Sequence, residues 1–269
     1  MTTFTTASLK ALFSYPFRQP NWQSKLLVLG LLFAAGFIIP IIPWLFVAGY
    51  VAEIMRRQAL EGGEPELPEW DDWGRLIVDG LRLVVIGFVL SLPAVIVFML
   101  GFGMYFVSTF PLMLGEGNEN ALLPLMFAGM SIMMLSMFVG TLLMMVTGII
   151  SPVAMTHVAV KRKFSAVFEV GEWWKVLWAN LGGYVLALVI LYSVSYILMT
   201  LGYMLAWTLV CCVLTPVFYF VMYPYLSVIT GVVCGQVYRE GQLKRAESSG
   251  PELEAAAAAE TESTPTEAE

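Results

Sequence analysis

From Val176 to Tyr238 no Asp, Glu, Lys, Arg or His interrupts the chain, and Leu83 to Gly115 is equally free of charge. Ala121 to Val160 holds one ionisable residue, His157. A bilayer core of about 30 Å takes roughly 20 helical residues to cross. Every backbone amide in lipid must be satisfied within its own segment, so such runs are helices. The pattern predicts one span in each of the two shorter runs and two in the longest, joined near Leu201 to Tyr203.

A fifth apolar segment, Leu26 to Ala52, fits none of these. It is too short for two crossings, and Pro40 and Pro43 break or bend any helix at its middle. The distribution of bases sharpens the problem. Arg56, Arg57, Arg75 and Arg82 precede the first full span; Lys161, Arg162, Lys163 and Lys175 follow the second; Arg239, Lys244 and Arg245 follow the fourth. Basic loops are retained on the cytoplasmic side, which places them and the C-terminus inside the cell. A single crossing over residues 26–52 would put Lys10, Arg18 and Lys25 outside, against the same rule. The favoured reading is a re-entrant hairpin turning at Ile38 to Pro43, with one kinked span as the alternative.

The expected fold is therefore all-α: a polytopic helical bundle of the inner membrane with an N-terminal re-entrant or kinked apolar segment and amphipathic connectors. Residues 1–25 are read as a cytoplasmic amphipathic segment, 26–241 as the membrane domain and 242–269 as a disordered acidic tail. No cleavable leader is evident before Leu26.

Three entries into the membrane look alike: Trp22 with Lys25 and Gly30, Trp73 with Arg75 and Gly80, Trp174 with Lys175 and Gly182. Each runs Trp, base, aliphatic block, Gly. The returns pass a proline, Pro43, Pro152 or Pro224, and end on bases. This suggests a threefold helical-hairpin repeat. The competing account is that any helix entering lipid favours Trp and a snorkelling cation at its mouth.

Composition supports the lipid reading: 59% of residues are hydrophobic and 13% charged, against about 25% charged in soluble domains. Removing the seven tail carboxylates from Glu247 onward turns the formal net charge of −6 into +1. The tail is Ala, Glu, Ser, Thr and Pro with only Leu253 to bury, too little to offset its ordering entropy. Cys211, Cys212 and Cys234 lie in the charge-free region without metal spacing and read as buried thiols.

Leu67-Pro-Glu-Trp70-Asp-Asp-Trp73, Gly80-Leu81 and Leu92-Pro93 resemble an uncharacterised prokaryotic multi-pass membrane family, catalogued as domain of unknown function 4013. Tyr15-Pro-Phe-Arg-Gln-Pro-Asn-Trp22, Gly49-Tyr50 and Gly235-Gln-Val-Tyr238-Arg239 carry the resemblance towards both ends. It implies a multi-pass architecture and supplies no activity.

Candidate chemistry is thin. His157 reads as an interfacial hydrogen-bonding residue. Asp71 and Asp72 resemble the paired aspartates of membrane prenyl transferases, but Arg75 stands where a third carboxylate belongs. The stretch Glu64 to Asp72 reads as a solvated loop leading into an interfacial helix with Trp70 and Trp73 facing lipid. Met130, Met134 and Met137 share a helix face that suits adaptable packing more than Cu(I). Gly231 and Gly235 form a G-x-x-x-G through which helices approach closely, within the chain or in a dimer. Trp174, with Trp173 and Trp178, reads as an interfacial girdle. No catalytic, cofactor or metal site is expected. The partners expected are the lipid bilayer and either another membrane protein or a second copy, without nucleic acid. The function expected is that of a membrane scaffold or accessory subunit; a channel or transporter for a small solute, built on the broken first segment, is the alternative, and an intramembrane lipid-modifying enzyme ranks third.

Overall fold

The computed structural model describes residues 6–63, 66–114, 119–207 and 214–262. Its described residues form an all-helical bundle without strands. The α-helices are α1 (Thr6–Arg18), α2 (Trp22–Ala35), α3 (Ile42–Leu60), α4 (Trp73–Met113), α5 (Glu119–Lys161), α6 (Val170–Ala179), α7 (Leu181–Trp207) and α8 (Leu214–Glu262). A short 3-10 turn, Phe164–Phe168, precedes α6. Four stretches are long and apolar enough to cross a membrane: Trp73–Pro111, Leu122–Lys161, Leu181–Trp207 and Leu214–Ser248. The chain divides into two compact units, Met1–Val84 with Val153–Glu269, and Val85–Pro152.

In the larger unit the apolar segment 26–52 is broken into α2 and α3, which pack on each other. Gly36 ends α2, and Ile42 N–H reaches back to Pro40 O at 3.1 Å. Ile41, between them, takes φ 80° and ψ −63°, a three-residue γ-turn that strains a β-branched residue. Pro43 sits in the first turn of α3, where its missing N–H costs no helical bond. The two prolines therefore do different work: Pro40 makes the turn, and Pro43 starts the next helix. Phe33 stacks edge-on against Trp44 with ring centres 4.5 Å apart, closing the tip.

Helix α3 is the hub. A side chain at Gly49 would collide with the backbone of Leu76, and one at Gly80 with Leu45 O, so α3 and α4 cross backbone to backbone. On α3's other side lie Gly231 and Gly235: a Cβ at the first would meet Ile54 at 3.0 Å, and at the second Gln58 Cβ at 2.6 Å. The G-x-x-x-G motif thus packs α8 on α3 within the chain. Ala52, Met55, Leu83, Ala159 and Cys234 form one buried cluster that joins α3, α4, α5 and α8. Cys234 is a buried free thiol; Cys211 and Cys212 lie outside the described residues.

One boundary differs from the sequence reading. Helix α7 continues through Leu201 to Tyr203, where a turn was expected, because Gly202 serves contact: it is buried against the Tyr219 ring. Within the run from Val176, the third span begins at Leu181, because Asn180 (φ −135°, ψ 35°) ends α6 first. Helix α8 is continuous from Leu214 to Glu262; the Ala and Glu residues late in it are strong helix formers.

The smaller unit is a two-helix hairpin built from parts of α4 and α5. Leu90 O accepts the Thr147 hydroxyl at 3.2 Å, Gly140 faces Phe98, Gly101 faces Ser136 and Gly129 faces Ser108. The pairs run in opposite order along the two helices, so the pairing is antiparallel. Met130, Met134 and Met137 point outward rather than into neighbouring helices; the inward face is taken by Gly129, Ser136 and Gly140.

Candidate functional site

Residues 66–72 keep Glu66, Glu69, Asp71 and Asp72 exposed and lead into α4, but Leu67, Pro68 and Trp70 clamp the segment to the protein. Leu67 is buried, and its carbonyl accepts the Lys25 ammonium at 2.8 Å. Lys25, itself buried, pairs with Glu69 at 2.7 Å. The Tyr50 hydroxyl donates to Pro68 O at 3.1 Å, and Trp70 lies flat on Tyr50, ring centres 4.3 Å apart. Trp70 therefore faces the protein, while Trp73 stacks on it at 5.3 Å and stays partly exposed. Asp72 accepts the Arg75 backbone N–H at 3.0 Å and caps α4, so it serves the helix rather than a metal. Asp71 lines a cavity of about 360 Å³ with Asn21, Ser24 and Lys25. Taken together, the segment staples α2 and α3 to the start of α4.

A second tie lies where α3, α4 and the end of α5 meet. Glu53 on α3 is buried and bonded to Arg57 Nε at 3.1 Å and Arg162 Nη2 at 2.8 Å. Asp79 on α4, also buried, pairs with Arg82, and Arg162 Nε approaches its other oxygen at 3.7 Å. Arg162 adopts φ 52°, a left-handed conformation unusual for a side-chain-bearing residue. That conformation ends α5 and lets one guanidinium serve two carboxylates.

A third tie is centred on His157, which is buried and has three polar neighbours. Its Nδ1 lies 2.7 Å from the Tyr238 hydroxyl and its Nε2 3.3 Å from Glu169 and 3.8 Å from Glu172. Lys161 pairs with Glu169 and, at 2.6 Å, with Glu172. The bonds from Lys161, and for Glu169 from His157, hold both carboxyls below the usual carboxylate range. Donor atoms of His157, Glu169 and Glu172 come within 4.8 Å of one another, a spacing that suits a metal ion. Lys161 already supplies a cation to both carboxylates, so the charge a metal would neutralise is met internally.

Asn180 makes the fourth tie. Its Nδ2 donates to Val237 O at 3.1 Å and its Oδ1 accepts the Lys244 ammonium, fixing the α6 to α7 corner on α8. Of the other residues singled out by sequence, Trp22 packs edge-on against Phe17 at 5.0 Å, and Trp174 is exposed on α6. Sequence reasoning missed Glu53, Asp79 and Arg162. The available signal was an acid three or four residues from a base inside an otherwise apolar helix.

Chemically these ties bind helices to one another. Within them the buried Lys25, Glu53 and Asp79 each meet an opposite charge. No curated protein and no solved structure matches the chain. A family model described as "Protein of unknown function (DUF4013)" matches residues 32–207. That match covers the staple from Leu67 to Trp73, Glu53, Asp79, Arg162 and the His157 cluster up to Glu172, while Lys25 and Gly235 fall outside it. With more than half of its 269 residues matched, the chain belongs to this DUF4013 family.

Proposed function

We propose that this membrane protein is a non-enzymatic scaffold or accessory subunit of the cell membrane, with the tied helix ends and the C-terminus in the cytoplasm. One observation carries this: the buried ionisable groups Lys25, Glu53, Asp79 and His157 are spent on joining helices. A proton-coupled carrier keeps ionisable groups along its path at membrane depth. Hydroxyls deeper in the spans are committed too, Thr141 to Met137 O, Thr147 to Leu90 O and Thr200 to Tyr196 O.

In the same reading α2 and α3 enter and leave from the cytoplasmic side. Helix α2 has 14 residues, about 21 Å at 1.5 Å each, short of the roughly 30 Å core. Lys25 near its start meets Leu67 and Glu69 beyond the end of α3, which supports the hairpin over a single span. The three pairs α2 with α3, α4 with α5, and α7 with α8 fit a repeated hairpin. The transporter reading draws on an apolar cavity of about 980 Å³ lined by Phe33, Phe37, Tyr203, Tyr219 and Tyr223. Among the described residues no carboxylate, lysine, arginine or histidine lines it, so it suits an apolar solute rather than an ion.

The test is affinity purification in mild detergent with identification of copurifying chains. A stoichiometric membrane-protein partner is expected; a chain that elutes alone as a monodisperse monomer would sink the proposal. For topology, Ser8→Cys in a background lacking the native cysteines should resist an impermeant thiol reagent in intact cells. Labelling from outside would eliminate the hairpin.

A further inference from the structure

Between the end of α5 at Lys161 and the start of α7 at Leu181 the chain makes an elbow whose two faces differ sharply. Ala166, Val167, Trp173, Val176 and Leu177 turn inward and are buried. On the opposite face Val170, Trp174 and Trp178 follow at i, i+4 and i+8, one stripe of a helix. Phe164 and Phe168 extend that stripe through the 3-10 turn. Phe168 is 68% and Trp178 59% exposed, far more than isolated aromatics on a water-facing surface warrant.

Charge is sorted in the same way. Glu169 and Glu172 are drawn onto Lys161. Lys163 and Lys175 are exposed, and their ammonium groups have no hydrogen-bond or ion-pair partner among the described residues. The elbow thus shows the outside an aromatic stripe and two free ammonium groups, with its acids neutralised. Both its ends continue directly into apolar helices of spanning length, so the stripe is tethered at the depth of the lipid headgroups. Aromatic rings favour that layer, and free lysines beside it attract anionic lipid.

We propose that the elbow Phe164–Ala179 is a binding surface for anionic phospholipid, with Trp174 and Trp178 seated among the upper acyl carbons and Lys163 and Lys175 on the phosphates. The surface goes beyond the scaffold assignment and requires only that the flanking helices cross a bilayer. A soluble protein docking on the same stripe is the competing occupant, and it demands neither lipid contact nor lipid selectivity.

The experiment uses the full chain in nanodiscs and in detergent. In phosphatidylcholine nanodiscs brominated high on the acyl chains, wild-type tryptophan emission should be quenched, and Trp174→Phe with Trp178→Phe should remove a share of that quenching. If the double variant removes none, the rings do not contact lipid and the proposal fails. If no quenching occurs even in wild type, the spanning assignment itself fails, which separates the two. In detergent, Lys163→Gln and Lys175→Gln should weaken retention of phosphatidylglycerol about fivefold each, leaving phosphatidylcholine unchanged. Unchanged phosphatidylglycerol retention overturns the proposal. Should the variants fold poorly, raising the salt on wild type gives the same answer: phosphatidylglycerol must be released selectively, because exposed pairs are screened, and salt-independent retention overturns it.

Discussion

In the hairpin Val85–Pro152 the helices meet through Gly101, Gly129, Gly140 and Ser108, with hydroxyls bonded to helix carbonyls. The remainder of the chain joins its helices through Lys25, Glu53, Asp79, His157 and Asn180 as well as through glycines. Lipid offers no hydrophobic reward for bringing two apolar helices together, so small residues that permit close contact carry the association. Near the basic helix ends, charges can be buried if they are paired. There they fix which helix faces which, because an unpaired buried charge is costly. One region is held by fit, the other by fit and directional bonds.

The largest test of this contrast is Arg162→Ala, which leaves Glu53 and Asp79 short of their shared cation. Removing one partner of a buried pair costs about 3–5 kcal/mol, and partial exposure of the arginine places the expectation at the lower end. Thermal unfolding in detergent should shift accordingly; an unchanged midpoint would mean the tie is ornamental. Next comes Gly80→Ala, where the new methyl meets the Leu45 carbonyl. Overpacking against backbone should cost about 1–3 kcal/mol. Gly103→Ala in the hairpin has nothing within 4 Å and should be neutral or gain up to about 1 kcal/mol, as read by the same melts. If both alanines behave alike, the glycine crossing on α3 is not tight.

Glycine spacing and the long charge-free runs were legible in sequence because they are local patterns. Four helices of spanning length, the break around Pro40 and the close packing at Gly231 and Gly235 all follow from them. The ties were hidden because their partners are remote: Lys25 meets Leu67 across 42 residues and Glu53 meets Arg162 across 109. Read alone, Glu53 with Arg57 is an ordinary i, i+4 pair. Trp70 was misread for a related reason. Interfacial tryptophans are common, and nothing nearby in sequence announces that Tyr50 supplies a flat surface for it. Gly202 misled in the opposite direction, since glycine marks turns and close contacts equally well.

Smaller effects probe the edges of the tied region. Glu169 and Glu172 have lowered carboxyl pKa values in the folded state, so what they contribute is fully present above the ordinary value of 4.5. It is lost as pH falls below 4.5 through the lowered folded values. Tryptophan emission from the elbow should therefore change on acidification below 4.5, and Lys161→Met should move that transition towards 4.5. A transition at the same pH in both proteins would remove Lys161 from the account. Last, Ile41→Gly should relieve the γ-turn, raising stability by about 1 kcal/mol. A destabilised variant would show that the turn carries no strain.

The distance along the chain between Glu53 and Arg162 also has a consequence for biosynthesis. When α3 leaves the ribosome, the only native ion-pair partners of its carboxylate already made are Arg56 and Arg57, at 3.9 and 3.1 Å in the finished protein. The guanidinium that completes the site is translated 109 residues later, after α4 and all of α5. The buried carboxylate on α3 can therefore gain its full set of partners only once the residue just past α5 has been made.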